Sequence, residues 1–197
     1  LDWGAAPAHR DAMARNVMKT QTASAAPTFL RGIELRRSAL RQLSAAMTAA
    51  SPEAAEGLFH DYVDDMVGAY AGIRVVRSVG EGGEFRWVQP GFDAPVAPSP
   101  PVPVEDAGHL QPVAGGWWLT VDTDGRRTQG FVALDDFVRT LSRAVLSDRP
   151  VRATAVGMTT LEQGEPQGTP LSIEHVPLPG HDVRLELWAP PALTSFT

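Results

Sequence analysis

Ile73 to Gln89 reads IRVVRSVGEGGEFRWVQ, and the reading of this stretch decides the fold. Two runs rich in β-branched and aromatic residues, 73–79 and 84–89, flank Gly80-Glu81-Gly82-Gly83. Such runs favour extended backbone, and glycine takes the positive φ that a tight reversal needs. The stretch therefore predicts an antiparallel β-hairpin with a loop of about four residues. A sheet that opens on a hairpin, rather than on a strand-helix-strand crossover, belongs to the antiparallel classes.

Upstream of it the pattern is helical. Ser51-Pro52-Glu53 offers a hydroxyl cap followed by proline at the first helical position, where a missing N–H costs nothing. From there Leu58, Phe59, Tyr62, Met66, Ala69 and Tyr70 form one apolar face, and Gly72 suits a left-handed closing residue. Before the cap, Phe29, Ile33, Leu40, Leu43 and Met47 recur at helical spacing over 28–50. Two helices joined at Ser51 are expected to pair antiparallel. Residues 1–27 are small, polar and weakly periodic, and read as an extended arm.

Downstream, Pro90, Pro95, Pro98, Pro100, Pro101 and Pro103 make a strap over 90–110 that cannot donate ladder hydrogen bonds, which marks a subdomain boundary. Trp117 to Val121 and Thr128 to Ala133 then flank Asp122-Thr123-Asp124-Gly125, a second hairpin built on an Asp-Gly turn. Leu134, Phe137, Val138, Leu141 and Val145 predict a third helix over 135–147, with Asp135 and Asp136 at the positive end of its dipole. Further strands follow over 151–158, 171–176 and 183–188, separated by turns. The expected fold is α+β: an arm (1–27), a helical hairpin with a β-hairpin (28–89), a proline strap (90–110), and an antiparallel sheet with one helix (111–197).

At 197 residues with 43% hydrophobic and 20% charged side chains, the chain can bury a core of its own. The absence of cysteine removes thiolate catalysis and cysteine-based zinc sites. A formal charge of −6 speaks against wholesale phosphate binding, so nucleic-acid contact is possible but not indicated. Lys19 is the only lysine among 17 basic residues, which leaves no lysine for phosphate-loop or Schiff-base chemistry outside the arm. No apolar run approaches the length of a membrane span, and no charged-then-apolar leader opens the chain. The sequence begins at Leu1, as a processed chain or a piece of a longer one would.

Several motifs could carry chemistry. Tyr62-Val63-Asp64-Asp65 resembles the metal-binding turn of reverse transcriptases, but over four residues only and within helical flanks. His60 with Asp64, and Asp61 with Asp65, stand at i, i+4 spacing that could hold a cation, yet they lie opposite the apolar stripe where a solvated acidic face belongs. Asp122 to Gly125 opens like a calcium loop and then continues with Arg126 and Arg127 instead of further oxygen ligands. His175, His181 and Asp182 could form a general base and its orienting carboxylate, although no activated nucleophile accompanies them. Arg31, Arg36, Arg37 and Arg41 form no single basic stripe.

No catalytic, cofactor-binding or metal residue is therefore assigned from the sequence. The arm, the strap and the tryptophans Trp3, Trp118 and Trp188, taken as exposed, point to a structural subunit of a multi-copy assembly such as the capsid or coat of a virus or phage particle. Its partners would be copies of itself or sister subunits, gripped through the arm and sheet edges. The alternative is a ligand-binding or hydrolytic α+β domain that uses His175, His181 and Asp182 or the acidic helix face.

Overall fold

A computed structural model of the chain describes residues 5–97, 110–145, 149–155 and 158–190. Helices and antiparallel sheets give the α+β class that the sequence predicts. The chain divides into two compact units, Leu30–Asp136 and the combination of Leu1–Phe29 with Phe137–Thr197.

The first correction is at the N-terminus. Residues expected as an extended arm belong to a helix, α1 (Ala5–Ala49), and only residues 1–4 of that arm lie outside the described residues. Ala14, Met18, Thr22, Ala25 and Phe29 are its buried positions within the terminal unit, spaced four, four, three and four apart. Helical period is thus present, but it is written in alanine, threonine and methionine, which carry little hydrophobic contrast. The helix continues through Pro27, which removes one backbone donor.

In the Leu30–Asp136 unit, Ile33, Arg37, Leu40, Leu43, Ser44 and Met47 are the buried positions of α1. Helix α2 (Pro52–Ala69) begins as expected, with the Ser51 hydroxyl accepting from the Ala54 amide at 3.3 Å. It ends at an extended Tyr70, followed by Gly72 at φ 86°. Its buried stripe is Ala55, Phe59, Val63 and Met66, turned by one position from the expected face so that Phe59 meets Phe85 at 5.8 Å between ring centroids. Arg36 of α1 binds the chain just past the end of α2. It donates to the Ala71 carbonyl at 2.6 Å and to Gly32 at 2.9 Å, and stacks over the Tyr70 ring. Burial pulls the pKa of this guanidinium down from its ordinary value.

The sheet of this unit has the order β2-β1-β5-β4-β3 and is antiparallel throughout. Its strands are β1 (Ile73–Gly80), β2 (Gly83–Val88), β3 (Leu110–Val113), β4 (Gly116–Thr123) and β5 (Arg126–Ala133). The first hairpin has a two-residue loop rather than four, because Gly80 and Gly83 pair within the ladder. In the second, Asp124 and Gly125 both take positive φ, 46° and 79°, as a two-residue reversal of matching twist requires. Strand β3 starts at Leu110, the last residue of the expected strap, and was not itself expected. Its Pro112 hid it, and proline is tolerated there because β3 is an edge strand. The described part of the strap, through Ala97, packs Phe92, Ala94 and Ala97 on Val75, Trp118, Phe131 and Ala133. The rest of the proline run, 98–109, lies outside the described residues.

Helix α3 (Leu134–Val145) starts with Asp135 and Asp136 in its first turn, and Asp136 is tied to Arg74 of β1. In the terminal unit Phe137 meets Phe29 edge to face at 5.3 Å, and Arg149 reaches Asp11 at 2.9 Å. The sheet there has the order β7-β6-β9-β8, from β6 (Val151–Ala155), β7 (Met158–Gln163), β8 (Ser172–Leu178) and β9 (His181–Leu187). The run expected as one strand over 151–158 is two strands. Strand β7 extends into a segment expected as a turn, whose reversal comes later, at Gly164 and Gly168 with φ 73° each.

Candidate ligand-binding site

Sheet alternation sorts the residues named from the sequence. On β9, His181, Val183, Leu185 and Leu187 point inward while Asp182, Arg184 and Glu186 point outward. His181 is therefore buried on the face opposite Asp182, and the three residues cannot converge on one substrate. His175 and Asp182 do meet on the outer face, at 3.7 Å, but their side chains are 61% and 71% exposed, which is a solvated surface pair. On α2, His60, Asp61, Asp64 and Asp65 are all exposed. Among the described residues no group of three or more His, Asp or Glu is gathered as metal ligands would be. Asp122 is engaged by Arg127 through two bonds of 2.7 and 2.9 Å, which hold the Arg127 pKa above its ordinary value. Arg31 and Arg41 are exposed while Arg37 is buried against Glu34, so the helix presents no basic stripe.

The tryptophans correct the sequence reading most. Trp118 is 1% exposed and Trp188 4%, so neither is a surface anchor, and Trp3 lies outside the described residues. Trp188 satisfies its indole N–H by donating to the Gly168 carbonyl at 3.1 Å. Trp118 does not: its Nε1 is fully buried with no partner among the described residues. A buried donor without an acceptor costs about 1–3 kcal/mol, so its surroundings carry information.

Those surroundings form a second feature that sequence patterning missed. On the face of the five-stranded sheet that carries Trp118, cross-strand register aligns side chains in rows. One row is apolar: Val88, Val75, Phe131 and Trp118 are successive partners. The next row is polar: Arg86, Arg77, Gln129 and Thr120 are partners in the same way. Within it Arg77 donates to Gln129 Oε1 at 3.2 Å and Gln129 donates to Thr120 Oγ1 at 3.2 Å. Glu84 accepts from Arg77 Nε at 2.6 Å, and this bond holds the Glu84 carboxyl below the usual range. The result is a hydrogen-bonded polar rung crossing β2, β1, β5 and β4.

The strap covers the apolar row and leaves the rung. Between them lies a cleft of about 400 Å³ lined by Val75, Arg77, Glu84, Arg86, Trp118 and the strap residues Ala94 to Ala97. It combines a flat aromatic wall, a buried donor and a fixed array of charged and amide groups, as orientation-specific small-molecule sites do. No family model, no curated protein and no solved structure matches the chain.

Proposed function

We propose that this chain is a ligand-recognition domain of sensory type, whose site lies between the strap and the polar rung of the five-stranded sheet. The unpartnered Trp118 indole at the wall of that cleft carries the reading. A buried N–H that no described group satisfies is a donor held ready for an acceptor on a ligand. Arg77, Arg86 and Glu84 supply charge of both signs beside it, so the ligand is a small polar molecule with a hydrogen-bond acceptor on a flat, partly apolar body. A volume of about 400 Å³ suits a compound the size of one or two amino acids.

Binding is favoured over catalysis because, among the described residues, no nucleophile with an adjacent base lines this cleft. The rung argues for sensing. Its members are bonded across four strands, so an occupant that competes for Arg77 or Gln129 acts on the sheet itself, and its binding energy can bias the conformation. The coat-subunit reading drew its support from an extended arm, the proline strap and exposed tryptophans. Residues 5–27 are helical and Trp118 and Trp188 are buried, so two of those supports are gone.

The test reads the indole directly. In ¹⁵N-labelled protein a panel of amino acids, nucleobases and small organic acids should contain compounds that shift the Trp118 Nε1 proton resonance and raise the melting temperature. Trp118→Phe should abolish both responses. If no compound in the panel moves the Trp118 indole resonance of the folded chain, the proposal falls.

A further inference from the structure

The turn end of the same sheet holds a charged side chain that the first site does not use. Arg126, at the start of β5, is 9% exposed. Its Nη1 donates to the Ser78 hydroxyl at 3.1 Å, and Ser78 is in turn bonded to Thr128 at 3.1 Å. Its Nε is fully buried and without a partner, and no carboxylate pairs with it among the described residues. Nearby cations are all matched: Arg77 by Glu84 and Arg127 by Asp122. The guanidinium lies against Gly80 so closely that a Cβ there would stand 2.9 Å from both Cζ and Nη2. Glycine at this position therefore keeps a berth open for the arginine.

Taking a cation out of water without a counter-charge is costly, and a partner from solution is the ordinary remedy. Arg126 lines a cleft of about 620 Å³ at the turn ends of the two hairpins, with Arg77, Val79, Glu81, Asp124 and Arg127 around it. We propose that this cleft is a second binding site, which shares Arg77 with the strap-side one but not Trp118, and that it takes the carboxylate of a small organic acid on the Arg126 guanidinium. One unmatched cation calls for one negative charge. The exposed Glu81 and Asp124 on the rim repel a dianion, which favours a monocarboxylate over a phosphate ester, and a planar carboxylate fits the fork of a guanidinium.

Sodium acetate and sodium phosphate, titrated against sodium chloride at matched ionic strength, distinguish the two anion classes through the backbone amide resonances of Gly80 and Gly125. Acetate should shift both amides saturably, phosphate should do so at least several-fold more weakly, and Arg126→Lys, which keeps the charge but loses the fork, should weaken the acetate response. Arg126→Met should remove it. Trp118→Phe should leave it intact, so failure of the strap-side site and failure of this one are separable. If acetate leaves the Gly80 and Gly125 amides of the unsubstituted protein unmoved, or if phosphate binds more tightly than acetate, the proposal is overturned, whatever the Arg126 variants do to folding.

Discussion

Two antiparallel sheets in one chain treat their buried tryptophans in opposite ways. In the four-stranded sheet unit, Trp188 donates to Gly168 and stacks under Arg152, and the inward positions of β6 and β9 are apolar apart from His181. Charged residues on the other face pair with one another, Arg152 with Glu162 at 2.9 Å and Arg184 with Glu186 at 3.6 Å. In the five-stranded sheet Trp118 is left without an acceptor, a polar rung crosses beneath the strap, and Arg126 is buried on a hydroxyl alone. The first sheet settles its tryptophan and its outer-face charges internally. The second has left some unsettled, and unsatisfied buried groups in a native fold gather where function overrides stability.

The sharpest way to break this contrast is to disturb each sheet where it has no slack. Gly116 opens β4, and a Cβ there would lie 2.1 Å from the Val132 carbonyl oxygen. Gly116→Ala should cost about 3 kcal/mol or more, since backbone must move to admit the methyl, and urea titration would measure it. Little loss of stability would show that β4 and β5 can separate, and the rung would then lack a fixed frame.

The next pair of substitutions weighs stability against binding. Leu185→Ala, in the settled sheet, should cost about 2–5 kcal/mol and leave ligand affinity in the other unit unchanged. Trp118→Phe removes a donor that has no partner, so its cost should stay below about 2 kcal/mol while binding is lost. The comparison fails if Trp118→Phe destabilises as much as Leu185→Ala, because the indole would then be an ordinary core residue.

Acid should touch the unsettled sheet through Arg77 and Glu84. The Glu84 pKa is lowered in the folded chain, chiefly by the hydrogen bond from Arg77, so the stability it contributes is present above the ordinary glutamate pKa and is lost as pH falls through the folded value. Glu84 is well exposed, so the loss should be under about 1 kcal/mol. Below the usual glutamate range Arg77 also loses this partner, and ligand affinity should change with it. A Glu84→Gln variant with the same acid profile as the unsubstituted chain would remove Glu84 from the account. Smallest of all, His60→Ala with Asp64→Ala should alter stability by less than about 0.5 kcal/mol, and calcium, magnesium, manganese or zinc should not move the melting temperature. A metal-dependent rise lost in the double variant would reopen the acidic helix face as a site.

What could be read from the sequence followed contrast. Helix α2 announced itself through Ser51, Pro52 and a strongly apolar stripe, and both hairpins of the larger sheet through glycine between β-branched runs. The first half of α1 was illegible because Ala14, Thr22 and Ala25 bury a face without looking hydrophobic. Strand β3 was hidden by Pro112 and β7 by a run with little apolar alternation. The site was harder still. Arg77, Gln129 and Thr120 stand far apart in the chain and become a rung only once strand order and register are known. Nor does any local signal say that one tryptophan finds a carbonyl and another does not. Arg126 had a faint trace, since a buried arginine next to an Asp-Gly turn departs from the polar-out habit of hairpin ends, but its burial depends on the distant Gly80 and Ser78.

Pro27 has a kinetic consequence. Its place inside α1 requires the Ala26–Pro27 bond to be trans, yet in an unfolded chain about 10–30% of such bonds are cis and revert over tens to hundreds of seconds. Molecules that begin folding with the wrong isomer can wind α1 on either side of residue 27 but cannot join the two segments. A population of that size should therefore refold on the slow timescale of proline isomerisation. It should grow with the time the chain is held unfolded beforehand, shorten its delay when a prolyl isomerase is added, and shrink in a Pro27→Ala variant.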